Sequence, residues 1–102
     1  MNMELTPFEA SIKILGDRVM LKAIPRDSPI IQISHDQHQM SGDIVIVAVG
    51  NGPKMSDPQY AAVKIGAKVS VTNMGFQAIA DMETKTGYRI YSILDLIAVL
   101  PD

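Results

Sequence analysis

Cysteine is absent from all 102 residues, and with it go disulfide staples, thiol nucleophiles and any zinc site built on thiolates. Tryptophan is absent too, and aromatic residues make up only 5% of the chain. Charge of one sign is also lacking: 11 acidic and 9 basic side chains leave a formal net charge of -2, and no window gathers a basic patch. A nucleic-acid partner asks for phosphate neutralisation and often for stacking platforms, so this composition argues against one. No apolar run approaches the roughly eighteen residues of a membrane helix, and Met1-Asn2-Met3-Glu4 lacks the cationic-then-apolar order of a signal peptide. Together these absences predict a cytoplasmic protein without a membrane partner.

What is present is a globular composition, 47% hydrophobic, in a chain the length of one domain. Residues 1–11 read as a polar, Pro7-containing extension, and residues 12–102 as the folded domain. Ile12 and Ile14, then Val19 and Leu21 beyond Gly16-Asp17, alternate as in a half-buried strand, and Pro25 stops the pattern. Ile44-Val45-Ile46-Val47-Ala48-Val49 is a continuous β-branched run, the mark of a strand buried on both faces. Gly50-Asn51-Gly52-Pro53 ends it as a turn, and Val69-Ser70-Val71, Phe76–Ile79 and Tyr88–Ile93 read as further short strands. At the end, Leu96-Ile97-Ala98-Val99-Leu100 is apolar throughout, so a helix over 93–100 competes with a strand; Ile97 and Val99 favour the strand. Short strands separated by frequent turn signals predict an all-β barrel or sandwich.

One stretch breaks the rhythm. From Arg26 to Gly42 no regular element is legible, which is longer than ordinary connections in compact domains and predicts a functional loop. Inside it a single apolar cluster, Ile30-Ile31-Gln32-Ile33, stands among polar residues. The same loop holds His35 and His38, which lack the converging ligands of a metal site and read as solvated imidazoles. Gly50-Asn51-Gly52 lacks the Lys-Ser/Thr that completes a phosphate loop, and Asp81 and Glu83 read as a solvated acidic pair on a strand edge. Nothing nominates an active site, so a non-enzymatic protein without a cofactor is expected.

Four segments, in order, carry a resemblance. Leu15-Gly16-Asp17-Arg18-Val19-Met20-Leu21-Lys22 resembles the opening strand of the GroES-type co-chaperonins, with its Leu-x-Asp-Arg-Val-φ-φ-Lys pattern (φ apolar). Val47-Ala48-Val49-Gly50-Asn51-Gly52 is similar to the strand and turn that lead into the family's roof hairpin. Val63-Lys64-Ile65-Gly66-Ala67-Lys68-Val69 resembles its Val-Lys-Val-Gly-Asp-x-Val, and Leu94-Asp95-Leu96-Ile97-Ala98-Val99-Leu100 its C-terminal Ser-Asp-Ile-Leu-Ala-φ-φ. The likeness runs from about Ile12 to Leu100.

The resemblance implies an irregular Greek-key barrel with a long mobile loop, about 26–41, and a short roof hairpin, about 50–62. It further implies a homo-oligomeric ring, a heptamer in the family, that caps a GroEL-type chaperonin and encloses substrate while the partner binds the ATP. Ile30, Ile31, Gln32 and Ile33 would then dock on the chaperonin's apical domains. Ile12, Ile14 and Leu15 of one subunit would meet Leu96, Ala98 and Leu100 of the next; the competing reading makes these core strands of a monomer. Burying three isoleucines stabilises by roughly 5 to 9 kcal/mol before the cost of ordering the loop, so one loop binds weakly and a ring gains by avidity.

The chain departs from the family in places. Ser28-Pro29 stands where glycines precede the tripeptide, Gln32 where an apolar residue is expected, and Ile44-Val45-Ile46 replaces a Gly-Glu start. Such divergence would suit a phage-encoded or otherwise specialised lid. An alternative from another class is a small β-barrel structural or virion-type assembly protein that uses Ile30–Ile33 as an interaction strand.

Overall fold

In a computed structural model, the structure describes residues 4–24, 43–72 and 74–101. The expectation of a mostly β domain holds. Six strands, β1 (Arg18–Ile24), β2 (Asp43–Val49), β3 (Lys68–Val71), β4 (Gln77–Asp81), β5 (Thr86–Ser92) and β6 (Leu96–Leu100), form one antiparallel sheet in the order β4-β5-β1-β2-β3-β6. The ladder does not close on itself, so β4 and β6 are its edges.

The sheet nonetheless curls strongly. Tyr91 on β5 donates its hydroxyl to the carbonyl of Thr72, just past β3, at 2.6 Å. Those strands lie three spacings apart in the ladder, roughly 14 Å on a flat sheet, which is farther than a tyrosine side chain reaches. Leu96 on the β6 edge likewise packs against the cluster of Val19, Leu21, Ile46, Val69 and Tyr91. Bulges help the bend: registers slip between Met20 and Leu21 opposite β2, and between Ser70 and Val71 opposite β6.

β2 is buried on both faces, as its unbroken β-branched run requires. Ile46 faces the cluster just named, while Val45, Val47 and Ala48 join Ile14, Met20 and Tyr88 on the opposite face. The cover for that second face comes from the described part of the N-terminal extension, residues 4–11 with Ile12, which packs on the domain through apolar side chains. Pro7–Ser11 is a short helix, α1, and Leu5, Phe8 and Ile12 pack on the core. Its start is built in the sequence: Thr6 and Glu9 form a reciprocal capping box with Pro7 in the first turn.

Two expectations change. The first strand begins at Arg18, not Ile12, because the chain turns at Gly16, whose φ is +74°. The segment 50–62 contains no roof hairpin: it holds two 3-10 turns, Pro53–Ser56 and Pro58–Tyr60. Both prolines sit at the start of a turn, where the missing amide is not needed and the fixed φ suits helical winding. Asp57 caps the second by accepting from the Gln59 amide at 3.0 Å. At the C-terminus the strand reading holds, after one 3-10 turn over Ile93–Asp95.

Candidate interaction site

Of the residues nominated by the sequence, Ile12, Ile14 and Leu15 lie between α1 and β1, and Leu96, Ala98 and Leu100 lie on the β6 edge. Ile30, Ile31, Gln32 and Ile33, with His35 and His38, lie outside the described residues. The root of their segment is described. β1 and β2 pair through Lys22 with Val45, Ala23 with Ile44 and Ile24 with Asp43. The described ladder therefore ends with Ile24 opposite Asp43, and Cα atoms paired across such a ladder sit about 4.5–5.5 Å apart. Lys68 on the neighbouring β3 approaches the Asp43 carboxylate at 3.8 Å, adding a partly exposed ion pair at this corner.

The nominated subunit-contact residues separate into two groups. Ile14 is 6% exposed, in this chain's own core, and Ile12 packs partly buried beside it. Leu96 is partly buried against this chain's own core cluster of Val19, Leu21, Ile46, Val69 and Tyr91. Leu15, by contrast, is 69% exposed, and Ala98 and Leu100 are exposed on β6. Ile97, 63% exposed, and Val99 stand on the same strand and were not nominated; with Leu94 they make this end an apolar strip on an unpaired edge. Their signal was available, since a strand apolar at every position must either be covered on both faces or expose one.

The resembling motifs turn out to be joints between elements. Gly52 donates its amide to the Gly16 carbonyl at 3.0 Å, Gly50 donates to the Arg18 carbonyl at 2.7 Å, and Asn51 Oδ1 accepts from the Gly16 amide at 3.2 Å. Asp17 accepts the Lys54 amide on Oδ1 at 2.8 Å and the Ile93 amide on its carbonyl at 2.9 Å. In the third motif, the Ala67 carbonyl accepts from Ile46 and the Gly66 amide donates to Ile46. The first three motifs thus each tie one end of a strand to a distant segment. Asp81 is likewise structural and buried, against the expectation of a solvated pair: it accepts from the Glu83 amide and the Thr84 hydroxyl, both at 3.0 Å, within the β4–β5 turn.

A buried polar hub escaped the sequence reading. Glu9, 2% exposed, accepts from Lys22 Nζ at 2.7 Å and from the Tyr88 hydroxyl at 2.8 Å on Oε2, and from the Thr6 amide at 3.0 Å on Oε1. Burial pushes its carboxyl up, but the Lys22 ammonium and the Thr6 and Tyr88 donors outweigh this and hold it below the ordinary value. Burial and the adjacent carboxylate push the Tyr88 hydroxyl up to about 12.

Among the described residues no three His, Asp or Glu side chains gather as a metal site, and no helix is long and apolar enough to cross a membrane. Compared with known proteins, the chain matches no protein-family model and no curated protein.

Proposed function

We propose that this chain is a GroES-type co-chaperonin subunit, whose curled sheet serves as the family's small barrel in a ring that caps a chaperonin. The observation that carries the reading is the root of the 25–42 segment at the paired residues Ile24 and Asp43. A long insertion containing Ile30-Ile31-Gln32-Ile33 is thereby attached at one corner of a rigid hairpin, the attachment that a partner-docking loop needs. The apolar β6 edge supports the assembly half of the proposal: an unpaired, exposed apolar strand is an aggregation hazard unless another chain covers it, and ring closure does so. Such a subunit contributes surface and no chemistry; nucleotide belongs to the chaperonin.

The test is capture of the purified chain by a chaperonin with and without ATP. Nucleotide-dependent capture that Ile31→Asp abolishes, while the native mass of the assembly is unchanged, is the expected result. Capture that is indifferent to Ile31→Asp, or no capture at all, overturns the docking role and leaves a structural assembly protein as the better reading.

A further inference from the structure

Residues 4–15 are joined to the rest of the molecule in an unusual way. Their described backbone hydrogen bonds are internal: Ala10 donates to Thr6 at 2.9 Å and Ile12 to Phe8 at 3.0 Å. Among the described residues no backbone–backbone hydrogen bond runs from this segment to the sheet. α1 has only five residues, too few to stand alone in water. The segment is therefore held by side chains: Leu5, Phe8, Ile12 and Ile14 on the Met20–Val47–Tyr88 face, Phe8 stacked on Tyr88 at 5.4 Å between centroids, and the Glu9 carboxylate.

Glu9 is the group that links everything. One oxygen closes the capping box that makes α1, and the other takes Lys22 from β1 and Tyr88 from β5. The same side chain thus forms the helix and fastens it. Pro7, Phe8 and Ser11 line a cleft together with Asp81, Met82, Glu83 and Thr84 of the β4–β5 turn.

We propose that residues 4–15 are a strap that opens and closes as a unit over an intact sheet, with Glu9 as its pin. Elements without ladder hydrogen bonds open at lower free energy than the sheet they cover. Opening uncovers the apolar face of Met20, Val45, Val47 and Tyr88, giving the chain a second conformation with a different exposed surface. Loss of the Glu9 charge favours that state, because an amide cannot offer Lys22 and Tyr88 the same charge-assisted acceptor.

Hydrogen exchange on the full chain and on Glu9→Gln tests this. The amides of Thr6, Glu9, Ala10 and Ile12 should lose protection by about ten-fold or more in Glu9→Gln, as expected for lost charge-assisted hydrogen bonds, while the β1, β2 and β5 amides keep theirs. Equal loss in strap and sheet overturns the proposal, since the segment would then be part of one cooperative unit. Unchanged strap protection overturns it as well, since Glu9 would not be the pin. Should Glu9→Gln fail to fold, Tyr88→Phe removes one donor and keeps the ring. Its smaller loss must again be confined to the strap amides, and a loss spread over the sheet or no loss at all is the overturning result.

Discussion

At the scale of single residues, glycines and one carboxylate make the firmest demands. Gly50 has an ordinary φ, but a Cβ there would overlap the Gly16 carbonyl oxygen, because the two backbones are in direct contact. Gly50→Ala should destabilise the chain by about 1–3 kcal/mol as backbone is forced from backbone, read from the denaturant midpoint. Gly87→Ala, which meets nothing within 4 Å, should change it by less than about 0.5 kcal/mol. The Glu9 hub sets the pH response. Its neighbours are Lys22 from β1 and Tyr88 from β5, with Asp81 acting on Tyr88 at longer range. Because the folded carboxyl lies below its ordinary value of 4.5, its stabilisation is complete above that pH and is lost as pH falls through the folded value. Tyr88 acts in the opposite direction: its contribution is complete below 10.0 and is lost as pH rises through about 12. Urea midpoints followed downward from neutral pH should therefore fall on the acid side, and Glu9→Gln should flatten that fall. An equally steep acid limb in the variant would assign it to other carboxylates.

At the scale of elements, what could be read in the sequence depended on whether a local pattern sufficed. The β2 run and the alternation over Tyr88–Ile93 are local, and both became strands. The β6 strand was legible because Ile97 and Val99 are β-branched, although helix and strand share its unbroken apolar character. The capping box at Thr6 and Glu9 is equally local, with Pro7 at the first helical residue as a starter, and the polar composition of the stretch conceals it. The partners Lys22 and Tyr88 were beyond local reach, since they meet Glu9 only after β1 and β5 have paired. The expected hairpin over 50–62 failed for a related reason. Pro53 and Pro58 are well placed to begin 3-10 turns and poorly placed in a strand ladder, and family likeness in the flanking Gly50-Asn51-Gly52 carried no information about the residues after it. Of the candidate site, the sequence exposed the apolar content of β6 and of 30–33 but not which face of β6 is covered, because Leu96 is partly buried only by packing on residues from β1, β2, β3 and β5, while Ile97 points to the other face and stays exposed.

At the scale of the molecule, the two edges of the sheet differ in a way that decides how copies of it can meet. The β4 edge carries exposed small and polar residues, Gln77, Ala78 and Ala80, with Asp81 turned in to cap the following turn. Short strands of that kind discourage pairing with another chain. The β6 edge carries exposed Ile97, Val99 and Leu100, with exposed Leu94 just before the strand. An interface of β6 against another exposed segment such as Leu15 is heterologous and closes only as a ring or runs on as a fibre. A ring is consistent with a formal charge of only -2, which gives neighbouring subunits little mutual repulsion. Ile97→Lys places a charge in the middle of that strip without touching the core, since Ile97 is 63% exposed. Its cost to the fold should stay within about 0.5 kcal/mol, so the unfolding midpoint extrapolated to the monomer should hardly move. Native mass and light scattering should report a discrete multi-subunit assembly for the parent chain and a monomer for Ile97→Lys at the same concentration. A parent chain that is monomeric at high concentration overturns the ring, and an assembly that tolerates Ile97→Lys moves the interface away from β6.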